Sequence, residues 1–157
     1  MITIRSAKRE DAETIEKLYA ELEKDAVYYQ PEHFVISAEG KRTLQFYELL
    51  EDKCQAVIVA EDAGVIIGFA HVRLMSVKNI SCLKRQSNVY IQDMIVNEKY
   101  RNLGIGSRLM SAVKEYGRQN NADFVRTQVF PLNKDGLRFY QRNGFSITML
   151  TIEAPMI

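Results

Sequence analysis

Six residues, Arg101-Asn102-Leu103-Gly104-Ile105-Gly106, lie between an apolar β-type run (Val89 to Val96) and an amphipathic helical pattern (Leu109 to Gly117). A strand, a glycine loop and a helix N-terminus in that order make an anion cradle. Glycine lets the backbone approach a ligand closely, and the first amides of the helix have no carbonyl partner and lie at the positive end of its dipole. The amides from Asn102 to Ser107 would suit a diphosphate. Two nucleotide chemistries are excluded by the neighbours. Gly106 is followed by Ser107-Arg108 rather than Lys-Ser/Thr, and no third glycine with an acidic ribose ligand about 20 residues on is present. No metal is expected, because Cys54, Cys82, His33 and His71 share no ligand spacing.

The elements around the loop follow from periodicity. Ile2 to Ser6 alternates as a strand, and Asp11 to Lys24 places Ala12, Ile15, Leu18, Tyr19 and Leu22 on one helical stripe. An aromatic loop interrupted by proline, Ala26 to Phe34, leads to a second helix at about Ser37 to Leu50. Gln55 to Ala60 and Val65 to Leu74 are β-branched runs around Glu61-Asp62-Ala63-Gly64, a hairpin signal. Met75 to Ser87 reads as a polar, basic loop. After the glycine loop and its helix come a strand (Phe124 to Phe130), a break at Pro131-Leu132, a helix from Lys134 to Arg142 with Asn133 as N-cap and Asn143-Gly144 as its stop, and a last strand from Phe145 to Ile152. The result is an α/β chain with a mixed sheet. Val89–Val96 and Phe124–Phe130, joined by a helix, should run parallel, and a ligand belongs at their carboxyl ends.

At 157 residues this is one domain, 1–157, able to bury roughly 70% of its unfolded surface. A net charge of +1 argues against a nucleic-acid binder. The charge is uneven, with 8 Lys/Arg against 12 Asp/Glu in residues 1–53 and 13 against 8 in 54–157. An anionic ligand would suit the basic part and a cationic partner the acidic one. The first sixteen residues lack a signal-peptide core, and no run approaches the ~20 residues of a membrane span. A cytoplasmic protein that contacts no membrane is expected, with two buried or incidental thiols.

The stretch Val89 to Val96 followed by Tyr100 to Ser107 resembles motif A of the GCN5-related N-acetyltransferases (GNAT), in which Arg/Gln-x-x-Gly-x-Gly/Ala grips the pyrophosphate of acetyl-coenzyme A. Asn133, Gly136, Phe139-Tyr140 and Gly144-Phe145 resemble a second family segment, in the usual order downstream. The resemblance implies a twisted mixed sheet of about six to seven strands and about four helices, with the two central parallel strands splayed apart. It implies acetyl-CoA as cofactor and direct attack by a primary amine in a ternary complex; the other reading is an acyl-CoA sensor or structural module without turnover. The backbone of Met94, Ile95 and Val96 would bind the pantetheine arm as an added strand. Asn102, Leu103, Gly104, Ile105, Gly106 and Ser107 would take the diphosphate, Arg101 would add charge or close the loop, and Asn133 would meet the pantetheine.

Acetyl transfer needs a neutral amine, an electrophilic thioester and a proton for the departing thiolate. An ordinary amine, with a pKa of about 10.4, is almost wholly protonated at neutral pH, so a proton acceptor helps. Tyr140 matches the family's proton donor, and a backbone amide near Met94 or Ile95 is the expected oxyanion donor. Where many relatives have Glu-Asp, this chain has Gln92-Asp93. Gln92 takes no proton but can hold a water. Strand alternation puts Asp93 on the opposite face from Gln92, so Asp93, a water chain and His71 all stay open as the base. The acceptor amine would sit across the splayed strands, walled by the loop Ala26 to Phe34, with Tyr28, Tyr29, His33 and Phe34 as candidates, and by the basic loop after Met75; His71 is a further substrate-binding candidate. The apolar last strand could pair across a homodimer.

Overall fold

In the computed structural model, which describes residues 1–157, five strands form one sheet in chain order: β1 (Ile2–Ser6), β2 (Gln55–Asp62), β3 (Val65–Val77), β4 (Gln86–Val96) and β5 (Phe124–Arg126). All neighbours are antiparallel except β4 and β5, which are parallel. Helices α1 (Ala12–Tyr29) and α2 (Lys41–Glu51) connect β1 to β2, α3 (Ile105–Gln119) connects β4 to β5, and α4 (Lys134–Arg142) follows.

Alternation along the strands divides the core in two. On one face Ile105, Leu109, Met110 and Val113 of α3, a single helical stripe, pack on Ile58, Ala60, Ile67, Ala70, Val72, Val89 and Ile91. On the other, Ile15, Leu18 and Tyr19 of α1 and Phe46 of α2 pack on Val57, Val59, Ile66, Phe69 and Ile95. Each such fully buried apolar side chain contributes about 1.5–3 kcal/mol. Arg5 ties β1 to both neighbours: its guanidinium donates to the two oxygens of Asp11 (2.8 and 3.0 Å) and its Nε to Glu61 (2.7 Å). That clamp holds the Asp11 carboxyl below the usual carboxylate range.

The elements expected from periodicity are present up to the last strand, with shifted ends. Helix α1 runs through Tyr29, so Ala26 to Tyr29 is helical and only the remainder of the expected loop is irregular. Strands β3 and β4 stay paired to Val77 and Gln86, which shortens the loop expected from Met75 to Ser87. The turn between β2 and β3 has positive φ at Ala63 (48°) and Gly64 (83°), as a tight hairpin requires. Two expectations fail. The strand expected over Phe124 to Phe130 ends at Arg126, and Phe145 to Ile152 forms no strand. The sheet therefore has five strands instead of six or seven. Strand β5, at the sheet edge, offers only three residues, the final segment makes no ladder with it, and Ile147, Met149, Leu150 and Ile152 are 59%, 87%, 75% and 89% exposed.

Candidate active site

The split between β4 and β5 begins at once. They pair only at Asn88–Phe124, Val89–Val125 and Tyr90–Arg126. One residue further on, a side chain replaces the ladder, with the Thr127 hydroxyl donating to the Ile91 carbonyl (3.0 Å). From Asp93 to Val96, β4 has a strand partner on the β3 side alone. Met94, Ile95 and Val96 thus lie on a half-paired edge, with their side chains packed into the two cores.

At the end of β4, a short 3-10 turn (Glu98–Tyr100) is capped by Asn97, whose side chain accepts from the Lys99 amide (3.0 Å). Arg101 folds back, its Nε donating to the Val96 carbonyl at 2.9 Å. Asn102 and Gly104 both have positive φ (62° and 78°), a chain reversal directly before α3, whose first amides (Ile105, Gly106 and Ser107) have no carbonyl partner within the helix. A Cβ at Gly104 would meet no atom within 4 Å and would point into open space; one at Gly106 would lie 3.0 Å from the Phe139 ring. The first glycine shapes the cradle and the second lets α4 approach. Unpartnered amides at a helix N-terminus suit a diphosphate, and the half-paired edge of β4 suits an amide-bearing arm.

Helix α4 carries Asn133 at its N-terminus and sets Tyr140 beside Thr127, at the split. Asn133 caps the helix, its Oδ1 accepting from the Gly136 amide (2.9 Å), which leaves its NH2 as the group able to meet a ligand. Tyr140 packs edge-on against Phe139 and Phe145 (centroids 5.2 Å in each case). Burial, aided by the nearby Asp93 charge and opposed by the Thr127 hydroxyl, pushes the Tyr140 phenol up to about 12. The hydroxyl stays protonated throughout the physiological range.

On the opposite face of the sheet, α1, α2 and strands β2 to β4 enclose a cavity of about 600 Å³. Its floor corrects the expectation from alternation. His71 pairs with Asp93 and Val72 with Ile91, so Gln92 is an extra residue, a β-bulge. Before the bulge Val89 and Ile91 face α3; after it Met94 and Val96 do. The phase change turns Gln92 and Asp93 to the same face, and both line the cavity. Asp93 Oδ2 lies 3.5 Å from His71 Nδ1, while Gln92 stands at the exposed rim, 3.5 Å from Arg73.

Of the proposed wall, Phe34 and His71 line the cavity. Tyr29 instead stacks on Phe130 (5.5 Å), Tyr28 is 80% exposed, and His33 pairs with Glu153 (2.7 Å). Sequence reasoning missed Gln55, Asp52, Arg73 and the Glu23–Arg42 pair, all on this cavity. The buried Glu23 accepts from the Ser37 amide (2.7 Å), the Ser37 hydroxyl (2.9 Å) and Arg42 Nε (2.8 Å). Burial opposes its charge, but these donors prevail and hold the carboxyl below its ordinary value. No motif marks these residues; Glu23 reads as one more carboxylate on a helix. Cys54 and Cys82 are free and exposed rather than buried.

Residues 14–145 match the family model described as the acetyltransferase (GNAT) family. Among curated relatives, the uncharacterized N-acetyltransferase YhfO of Bacillus subtilis is 27% identical over 144 residues, covering 92% of this chain and 89% of that protein. The thialysine N-epsilon-acetyltransferase of Bos taurus is 25% identical over 146 residues, covering 91% and 83%. Among solved structures, a mutant of the BH1408 protein from Bacillus halodurans superposes with a TM-score of 0.93 at 23% identity, covering 99% of each chain. The aminoglycoside N-acetyltransferase AAC(6')-Iy, in complex with a bisubstrate analog of CoA, gives 0.76 at 20% identity, covering 100% of this chain and 99% of that one. At these identities the solved structures establish the fold.

Proposed function

The chain belongs to the GNAT acetyltransferase family and is an acetyl-CoA-dependent N-acetyltransferase; from that premise we propose that it acetylates a small cationic primary amine by direct attack, with Tyr140 as the acid. The observation that carries the acceptor class is the charge of the 600 Å³ cavity. Glu23, Glu48, Asp52 and Asp93 face Arg42 and Arg73 there, and Arg42 is spent on Glu23. Three carboxylates against one guanidinium favour an ammonium group. The size suits a small molecule. Relatives named for acting on thialysine and structural neighbours named for aminoglycosides agree with a small amine.

Acetyl-CoA supplies an acyl carbon activated as a thioester together with a thiolate leaving group. In this reading the backbone of Met94, Ile95 and Val96 and the NH2 of Asn133 hold its pantetheine arm, and the amides of Asn102 to Ser107 hold its diphosphate. Arg101 braces the loop through the Val96 carbonyl. Tyr140 gives its proton to the departing sulfur, a role that the raised phenol supports because the hydroxyl stays protonated. Phe34 walls the acceptor, and Gln92 helps hold water at the rim. A sensor without turnover is not favoured, since the relatives bear the names of N-acetyltransferases.

Two further parts of the reading rest on the surface. The exposed apolar side chains of the last segment suit burial against a second copy, giving a homodimer. Two free, exposed thiols suit a reducing cytoplasm. The decisive experiment is thiol release from acetyl-CoA with a panel of amines. Small diamines and amino acids with a side-chain amine should be turned over, whereas equal inertness toward every amine would refute the proposed acceptor class.

A further inference from the structure

A chain of side chains leads from solvent to the cavity floor. Asp52 accepts from the Cys54 amide (2.8 Å) and from Gln55 Nε2 (2.7 Å). These donors hold its carboxyl below the ordinary value, so it only accepts. The Gln55 amide must therefore turn its NH2 to Asp52 and its Oε1 to His71, whose Nε2 lies 2.7 Å away. An oxygen acceptor at that distance requires a proton on Nε2. A neutral ring then has a bare lone pair on Nδ1, which is buried without a hydrogen-bond partner and faces Asp93 Oδ2 at 3.5 Å. Two acceptors confront each other, and a proton placed between them would convert the contact into a charge-assisted hydrogen bond of about 2.7–2.9 Å.

We propose that His71 and Asp93 are the pair that takes the proton of the acceptor amine, and that Gln55, held by Asp52, is a positioning residue that keeps the resting proton on Nε2 so that Nδ1 can receive the second. The proposal rests on the acetyltransferase reading for the identity of the proton's source. Asp93, the more exposed of the two, meets the ammonium group; His71, 6% exposed, stands behind it. The ammonium sheds two protons as the amide forms. One passes by way of Asp93 to His71 Nδ1, leaving an imidazolium beside a carboxylate. The other restores the proton that Tyr140 gives to the sulfur. His71 returns its proton to water after the product leaves, so one proton is released per turnover.

The remaining titratable groups of the cavity are Tyr19 and Glu23 of α1, Arg42 and Glu48 of α2, and Arg73 of β3. Burial, aided by Asp93, pushes the Tyr19 phenol up and keeps it neutral, while Glu23 and Arg42 neutralise each other. None of these groups hydrogen-bonds Nδ1. The bulge leaves this pairing in register, with Ile91 in the core opposite Val72 and Asp93 opposite His71, and adds Gln92 to the cavity face beside them.

The test begins with ¹⁵N NMR of the whole chain labelled at histidine, which has only two such residues, His33 and His71. At pH 8 the His71 proton should lie on Nε2, and Gln55→Leu should give a tautomer mixture. A proton on Nδ1 in the parent protein would overturn the proposal whatever the activity. In the amine assay His71→Gln should lower kcat/KM about 100-fold at pH 7, with the loss shrinking as pH rises and free amine becomes abundant. Gln55→Leu should lower it about tenfold while leaving the affinity for coenzyme A unchanged. PH–rate profiles that superpose for parent and both variants, with folding verified by thermal melts, would equally overturn it. Absence of coenzyme A binding in calorimetry would instead count against the acetyltransferase reading, and the tautomer measurement would still decide the case of His71.

Discussion

The two faces of the sheet build their sites from different materials. On the α3 side the cradle is backbone: reversed φ at Asn102 and Gly104, amides at a helix start, and a strand edge left half-paired. On the α1 and α2 side the cavity is made of side chains from five elements, with His71, Gln55 and Asp93 joined by polar contacts. In the proposed reading the backbone site holds acetyl-CoA and tolerates change in side chains. The side-chain site holds the acceptor and changes with single substitutions. Tyr140 stands between them, held in the split yet feeling the Asp93 charge.

The sharpest way to separate the halves is Tyr140→Phe. It should lower kcat by about 10²–10⁴-fold while leaving the Kd for coenzyme A within about twofold, since the cradle is untouched. Deleting Gln92 tests the join. Ile91 and Met94 keep their faces in a regular strand, so the protein should fold with a melting temperature within a few degrees of the parent. Loss of the bulge should straighten β4 and cut kcat/KM by more than tenfold; unchanged kinetics would show that the bulge positions nothing. Gly104→Val should act on the cradle alone. A β-branched residue at φ 78° costs about 1–2 kcal/mol, and its side chain enters the open space, so coenzyme A should bind about tenfold more weakly with kcat at saturation nearly intact.

The smallest effect lies outside both sites. The Asp11 pKa is depressed in the folded state, so its stabilisation is present above the unfolded carboxylate value and is lost as pH falls through the folded one. Asp11→Asn should reduce stability by about 2 kcal/mol at pH 7 and flatten the dependence on acid, as read by urea unfolding from pH 7 down to pH 3.

The cradle was legible in the sequence because its requirements are local. Gly104, the apolar run before it and the amphipathic stripe after it occupy one stretch of chain, and the segment from Asn133 to Phe145 carries its own cap and stop. The cavity was not. Alternation placed Asp93 and Gln92 on opposite faces, and one bulged residue reversed that. Gln55 and Asp52 acquire meaning only when the β2–β3 register sets Gln55 opposite Arg73, two residues from His71. The last strand is absent for a related reason: Phe145 to Ile152 has strand composition, but pairing depends on a distant partner, and β5 is only three residues long.

The central claim is that the amides of Asn102 to Ser107 hold a diphosphate. An ¹H–¹⁵N amide spectrum titrated with coenzyme A measures it residue by residue. The account predicts that the largest shifts fall on Asn102 to Ser107, with smaller ones along Met94 to Val96. Saturable shifts clustered on another surface, or none at millimolar coenzyme A, would contradict it.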